Sequence, residues 1–285
     1  MAGAAGLVGQ ALSHHCVAQG DTVFGYDHQT LDISNPELLN ATIDERRPDV
    51  VVNCAAWTDV DGCESDHDRA IAANAVGPEN LALASRRAGA GLITISTDYV
   101  FDGTKQGFYT QRDDANPKNF YGVSKLEGER RAQLAFARTI VVRTGFIFGS
   151  GGRNFLSTVV ERAVKGEQLK TISDAWGTPT YAPHLAARLR ELAERDLPGV
   201  FHVVNSGDGA SYEEFTHAAL KAAGYDGANL ETVTMGSLNR PAPRPSNSRL
   251  KCLLSEAIGL EPLPNWEDAL RAYVASQSAE IAAQG

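Results

Sequence analysis

A tyrosine and a lysine four residues apart, Tyr121 and Lys125, stand in the stretch Asn119-Phe-Tyr-Gly-Val-Ser-Lys-Leu-Glu-Gly-Glu-Arg130. On a helix that spacing puts both side chains on one face, where the ammonium can lie beside the phenol and favour its ionised form. A free phenol titrates near a pKa of about 10 and is a poor acid–base group at neutrality, so a neighbouring cation is what would let it exchange a proton there. The same pair also occurs on ordinary solvated helix faces. What points to chemistry here is the company it keeps: a glycine-rich loop at the start of the chain, and Ser96-Thr97-Asp98-Tyr99 closing an apolar run just upstream.

The loop carries Gly3, Gly6 and Gly9, followed by a helical pattern through Ala11, Leu12 and Val17. Glycines so spaced allow a tight turn, a close approach of backbone to a pyrophosphate, and close packing of the next helix, whose amino end favours negative charge. Thr22 to Tyr26 reads as a strand ending at Asp27, about twenty residues after the glycines, the spacing of a carboxylate that binds an adenosine ribose. Such a carboxylate would repel a 2′-phosphate and favours NAD over NADP, although His28 beside it works against that preference. Asp32 fits a turn cap as well as a contact to the adenine edge. Only Met1 and Ala2 precede the first glycine, where a dinucleotide-binding loop is normally fed by a hydrophobic strand. In a doubly wound sheet that strand is central. The sequence therefore predicts a first strand cut short, through a misassigned start or a truncation, or else a sheet that closes around the gap.

The elements that must position these residues alternate. Pro36 to Arg46, His67 to Val76 (carrying Asn74), Leu81 to Ala88 and the Tyr121 segment read as helices. Asp49 to Ala56, Gly91 to Ser96, Thr139 to Arg143 and Gly199 to Asn205 read as strands, the first too uniformly apolar to have a solvated face. The pattern predicts an α/β fold, a Rossmann-type doubly wound parallel sheet. Ligands of such sheets lie at the carboxyl ends of the strands, where Gly3 to Gly9, Asp27, Ala55, Thr97 and Arg143 fall. Beyond Ser150 the pattern loosens, with a helix from Asn154 to Lys165 and then short apolar runs between Gly and Pro. We expect a dinucleotide-binding domain of 1–149 plus about 177–205, and a smaller substrate-binding lobe of 150–176 plus about 206–285. Gly236 to Asn247 reads as an extended loop, whose Arg240 and Arg244 are either solvated or suited to a diphosphate.

A chain of 285 residues with a formal net charge of −9 and no run of Lys or Arg is a poor partner for nucleic acid or an acidic membrane. Cys16, Cys54, Cys63 and Cys252 have neither zinc spacing nor a compact disulfide framework, which predicts reduced thiols and a cytoplasmic protein. No stretch reaches the roughly 20 apolar residues of a membrane span. No metal is called for, and a monomer or homodimer is expected.

With these motifs placed in order, the chain resembles the extended short-chain dehydrogenase/reductases and, within them, the dTDP-4-dehydrorhamnose reductase family. The resemblance rests on Val52-Asn-Cys-Ala-Ala56, Asp59-Val-Asp61 with Glu64, Ser96-Thr-Asp-Tyr-Val-Phe101, Tyr121-Gly-Val-Ser-Lys-Leu-Glu-Gly-Glu129, Arg143-Thr144, Gly177-Thr-Pro-Thr-Tyr181 and Arg244-Pro-Ser-Asn-Ser-Arg-Leu250. It implies NADPH or NADH as cofactor, a nucleotide-sugar substrate, and reduction of a 4-keto-6-deoxyhexose. By position it implies that Gly6, Leu7 and Val8 touch the pyrophosphate, that Asp27, Asp32 and Ile33 surround the adenosine, and that Ala55, Ala56, Trp57 and Asn74 line the cofactor. Lys125 would hold the nicotinamide ribose, Tyr121 would protonate the carbonyl that Thr97 holds, and Asp98, Tyr99, Phe146, Arg244 and Asn247 would serve the sugar nucleotide. Related dehydratases carry Asp-Glu after that threonine; Asp-Tyr here supplies no acid for water loss. The family usually shows Ser-Trp after Arg-Thr, whereas this chain has Gly145-Phe146. Two other readings share the resemblance: a non-catalytic subunit like the regulatory subunit of methionine adenosyltransferase, and a nucleotide-sugar epimerase.

Overall fold

The computed structural model describes residues 1–152, 154–157, 159–225 and 228–284. After the glycine loop come α1 (Leu7–Ala18) and α2 (Pro36–Arg46), the latter started by Asn35, whose side chain accepts from Glu37 and Leu38 N–H, with Pro36 in the first turn. Next are β1 (Val50–Asn53), α3 (Val60–Ser65) and α4 (His67–Ile71), which continues as one π-helical turn (Ala72–Val76) into α5 (Gly77–Ala88). The helix predicted from His67 to Val76 is thus two pieces, and Asn74 sits in the widened turn.

β2 (Gly91–Thr97), α6 (Phe120–Ala135) and β3 (Thr139–Thr144) follow, and β3 is buried along its whole length. The chain then passes through β4 (Ile147–Phe148), α7 (Val159–Val164), β5 (Leu169–Ile172), β6 (Trp176–Gly177) and β7 (Thr180–Tyr181) to α8 (Ala182–Arg195) and β8 (Gly199–His202). It ends with β9 (Ala210–Ser211), α9 (Tyr212–Ala222), β10 (Leu230–Val233), α10 (Leu253–Ala257) and α11 (Trp266–Gln284).

The main sheet is parallel, in the order β1-β2-β3-β8, with Val52 level with Ile93, Ile93 with Ile140, and Val142 with Phe201. Alternation along β2 sends Leu92 to one face and Ile93 to the other. Leu92 packs with Leu39, Ile43 and Leu81 of α2 and α5, while Ile93 packs with Leu12, Leu185 and Leu189 of α1 and α8. Helices on both faces explain why the strands are apolar throughout. A separate core of Phe148, Leu156, Phe215, Trp266 and Leu270 gathers α7, α9 and α11. All four cysteines are free thiols, and no described helix is long and apolar enough to cross a membrane.

The expected strand Thr22 to Tyr26 is extended but is not part of the sheet: only Tyr26 forms a bridge, to Ala2, which also bridges Asn53. The ladder there is one residue long because Ala2 turns at once into the glycine loop. The sheet does not close around this point, and a slot remains between 22–26 and β1.

Candidate active site

Gly3 opens the site. Its φ of 75° is a backbone conformation side chains avoid, and a Cβ there would lie 2.6 Å from the Ala55 nitrogen, so the loop rests directly on the chain leaving β1. Gly6 caps α1 without a side-chain bond, leaving the first amides of the helix without a side-chain acceptor. From this helix end a cleft of about 600 Å³ runs along the carboxyl ends of the strands. Gly6, Leu7, Val8 and Gly9 line one end, Ala55 and Ala56 the floor, and Thr97, Asp98, Tyr99, Tyr121, Lys125 and Phe146 the other end.

Tyr121 is held in the first turn of α6 by Asn119, whose Oδ1 accepts from Gly122 N–H while its Nδ2 donates to the Pro243 carbonyl; Glu64 accepts from Phe120 N–H at 2.7 Å. Burial pushes the Tyr121 phenol well above its ordinary range, and the Thr97 hydroxyl beside it pulls in the opposite direction. Lys125 lies one turn on. Burial lowers its pKa to about 8, against the upward pull of Glu129 and Cys54. The expected ammonium–phenol contact is not made: Lys125 Nζ donates to the Ile95 carbonyl at 2.7 Å. An ammonium buried to this depth needs an acceptor, and the β2 backbone supplies one. One turn further, Glu129 accepts a two-pronged bond from Arg143 (2.9 and 2.7 Å) and a 2.5 Å bond from Ser96 Oγ, which fixes β2, β3 and α6 to one another beneath the site. Arg143 thus serves the scaffold.

Asp98 is buried at the same end of the cleft. Its carboxylate accepts from Ser248 Oγ at 2.5 Å and Thr97 Oγ1 at 3.0 Å, and burial outweighs both bonds, raising its pKa to about 6. Gly145 is required beside it, since a Cβ would come within 2.4 Å of the carboxyl carbon. Phe146 follows with φ 46°, an uncommon conformation for a bulky residue, and stacks on Tyr212 at 4.2 Å between centroids. Tyr99 meets Tyr121 edge-on at 6.1 Å. The result is a buried acid–base group beside a hydroxyl and a lysine, with an aromatic wall opposite.

Residues 1–279 match the RmlD substrate binding domain family. The chain belongs to that family. It is 36% identical to a dTDP-4-dehydrorhamnose reductase of Mycolicibacterium smegmatis, with 96% of this chain and 84% of the relative covered. Among solved structures it is similar to a dTDP-4-dehydrorhamnose reductase of Clostridium acetobutylicum (TM-score 0.93, 34% identity, 97% and 98% of the two chains). It is equally similar to that of Bacillus anthracis in complex with NADP (TM-score 0.93, 31% identity, 96% and 97%).

The donor set of this RmlD-family chain fits a dinucleotide. An uncapped helix amino end suits a pyrophosphate, Ala55 and Ala56 leave backbone accessible, and the hydroxyl of Thr144, which lines the cleft, is buried with no hydrogen-bond partner among the described residues.

Other predicted residues lie elsewhere. Asp27 Oδ1 accepts from Gln29 N–H, Thr30 N–H and Thr30 Oγ1, and Asp32 Oδ1 from Ser34 N–H and Oγ, so both carboxylates close turns at the surface. Ile33 is buried against Gly77. Asn74 is spent as a clamp, accepting from Trp57 N–H and donating to the Trp57 carbonyl and Ser124 Oγ; Trp57 itself carries the Arg69 guanidinium over its ring. Arg244 forms a two-pronged ion pair with Asp61 (2.6 and 2.9 Å), and Asn247 Nδ2 donates to the Lys105 and Gly107 carbonyls. None of these seven lines the cleft. Sequence reasoning missed Tyr212 and Ser248. Ser248 lies inside the Arg244–Leu250 stretch that carries the family resemblance, but its type gave no chemical cue, and Tyr212 opens a helix of the second core with no local signal at all.

Proposed function

We propose that this protein reduces a nucleotide-linked 4-keto-6-deoxyhexose with NADPH or NADH, converting dTDP-4-dehydro-L-rhamnose to dTDP-L-rhamnose. The observation that carries this reading is the single cleft in which the uncapped glycine loop, Tyr121, Lys125 and Thr97 meet. Membership of a family whose relatives are named as that reductase, one of them bound to NADP, supports it.

A dinucleotide held in the cleft would supply hydride to C4. Tyr121 would deliver the proton to the carbonyl oxygen, and Thr97 would donate to that oxygen by turning its hydroxyl away from Asp98 Oδ1, to which it donates here; Lys125 would hold the nicotinamide ribose. Phe146 and Tyr212 would face the sugar ring; Arg240 and Arg244, both paired with Asp61, act electrostatically on Tyr212, and a diphosphate would have to draw them from that carboxylate. Residues 1–149 plus about 177–205 hold the dinucleotide, and 150–176 plus about 206–285 hold the sugar nucleotide.

The test is NADPH consumption with dTDP-4-keto-6-deoxyglucose in the presence of the companion 3,5-epimerase. Tyr121→Phe should lose about 10²- to 10⁴-fold in turnover and keep its NADPH affinity within a few-fold. Turnover near the wild-type level in that variant would refute the assignment. Binding without consumption by the wild-type chain would favour the non-catalytic reading, and sugar interconversion with no net cofactor use would favour an epimerase.

A further inference from the structure

Thr97 carries one hydroxyl proton, and in this structure that proton is already in use. The hydroxyl donates to Asp98 Oδ1 at 3.0 Å and accepts from Tyr99 N–H at 3.2 Å. An ionised carboxylate has no proton to give, so while Asp98 is charged it draws the Thr97 proton toward itself. A carbonyl oxygen arriving between Tyr121 and Thr97 would then meet a lone pair on Thr97 where the reaction needs a donor. It would also meet the charge of Asp98 as negative charge develops on that oxygen, which opposes the reduction.

The surroundings of Asp98 do little to keep it charged. Ser248 Oγ donates to Oδ2 at 2.5 Å in preference to the Trp176 carbonyl at 3.3 Å, and Gly145 packs against the carboxyl group. The titratable groups that face it are phenols: Tyr99 from the turn it belongs to, Tyr121 from α6 and Tyr212 from α9. Burial holds all three above the ordinary phenol range, so they stay neutral while Asp98 titrates. The neighbouring cations have other acceptors, Lys125 the Ile95 carbonyl, Arg143 the Glu129 carboxylate, and Arg240 and Arg244 that of Asp61. A buried carboxylate answered by no cation among the described residues favours its acid form, in line with a pKa raised to about 6.

We propose, building on the reductase reading above, that the chain is active with Asp98 as the neutral acid, whose proton on Oδ1 reverses the row of hydroxyls: Asp98 donates to Thr97 Oγ1, and Thr97 donates to the carbonyl oxygen that Tyr121 protonates. The proton sits on Oδ1 because Oδ2 takes the Ser248 donor. Thr97 is then fully used, its two lone pairs taken by Asp98 and by Tyr99 N–H and its own proton given to the substrate. Asp98 keeps its proton throughout; Tyr121 gives one to the oxygen as C4 takes the hydride. Asp98 is thus a positioning residue, and its charge sets the direction of the Thr97 bond.

The test is the pH profile of kcat/KM for the sugar nucleotide, measured at saturating NADPH with the 3,5-epimerase in excess, from about pH 5 to about pH 7.5, short of the range in which Lys125 titrates. Wild type should hold a plateau below about 6 and lose about 10-fold per pH unit above it. Asp98→Asn, which has no acid proton to lose, should be flat. Ser248→Ala removes a donor to the carboxylate and should carry the falling limb up by at least about half a pH unit, whatever it does to the level, which keeps the proposal falsifiable if the asparagine variant does not fold. A falling limb that survives in Asp98→Asn, or that Ser248→Ala leaves in place, overturns the proposal, as does a wild-type profile with no fall. Infrared difference spectra of wild type against Asp98→Asn, taken without ligands, should show a carboxylic-acid carbonyl band at about pH 5 that is gone at about pH 8, and its absence also overturns the proposal. A wild-type chain that consumes no NADPH at any pH fails the reductase reading and this inference with it; consumption with a profile indifferent to Asp98 overturns the inference alone.

Discussion

Asp98→Asn isolates the cost of keeping a carboxylate at the centre of the site. Burial moves the pKa of Asp98 from its ordinary 3.8 to about 6 despite bonds from Ser248 and Thr97. At about 1.36 kcal/mol per pH unit, that gap corresponds to about 3 kcal/mol. The sign follows from proton linkage: between 3.8 and about 6 the folded chain binds the proton and the unfolded chain does not, so Asp98 contributes most below 3.8 and loses that contribution as pH rises through about 6. Other carboxylates oppose this trend. Hydrogen bonds hold Asp102 and Asp61 below their usual range, and their contributions grow over the acidic part of the same window. The wild-type curve alone is therefore uninformative, and the difference between variant and wild type is what counts. Asparagine keeps one acceptor for Thr97 but turns an amide toward Ser248, a penalty that does not depend on pH. Urea denaturation of both proteins from about pH 4 to about pH 8 should show the variant gaining about 3 kcal/mol relative to wild type across that range. A difference independent of pH would mean that Asp98 is not desolvated as the structure places it.

Lys125 is charged below about 8 and should bind NADPH most tightly there; titrating NADPH affinity from about pH 6 to about pH 10 should show weakening through that value, and Lys125→Met should be about 10-fold weaker and flat. Arg143→Met leaves the Glu129 carboxylate buried and unpaired and should cost about 3–5 kcal/mol by chemical denaturation, with Glu129→Gln added to it restoring much of the loss; a double variant as unstable as the sum of the two singles would refute the pairing. Phe146→Gly relieves the strain of a side chain at positive φ but removes the stack on Tyr212; it should raise the KM for the sugar nucleotide about 10-fold while NADPH affinity stays put.

Much of the sheet was legible because strands buried on both faces have an unmistakable apolar run, and β1, β2, β3 and β8 fall within a few residues of where those runs end. The segment 22–26 shows the limit of that signal. Its residues favour a strand, but a strand is a relation between two segments, and only Tyr26 has its neighbour. The π turn at Ala72–Val76 was equally hidden, because nothing in Ala-Ala-Asn-Ala-Val marks a widened helix; it is set by Asn74, whose side chain leaves the helix to hold both backbone groups of Trp57.

The site divides along the same line. That Gly6, Ala55, Thr97 and Lys125 line one cleft could be read because each is attached by a few bonds to a sheet end that the apolar pattern located. Asp27 was read by its spacing and Asn74 by the family resemblance, and their side chains are bound into a turn and a clamp, since a position in the sequence does not say whether a nearer backbone group will take the side chain first. Ser248 and Tyr212 needed the fold itself. They come from the C-terminal part of the chain, Ser248 from a stretch that reaches β8 at His202 and Tyr212 from the second core, yet Ser248 holds the Asp98 carboxylate that in turn holds Thr97, and Tyr212 backs Phe146. Aim at the reacting carbonyl is thus decided partly by the C-terminal region, so substitution at Ser248 is expected to disturb the acid–base end of the cleft before it disturbs the glycine loop. Ser248→Ala should lower kcat more than it weakens NADPH binding, and the reverse order would place Ser248 outside the chain of contacts that ends at Thr97.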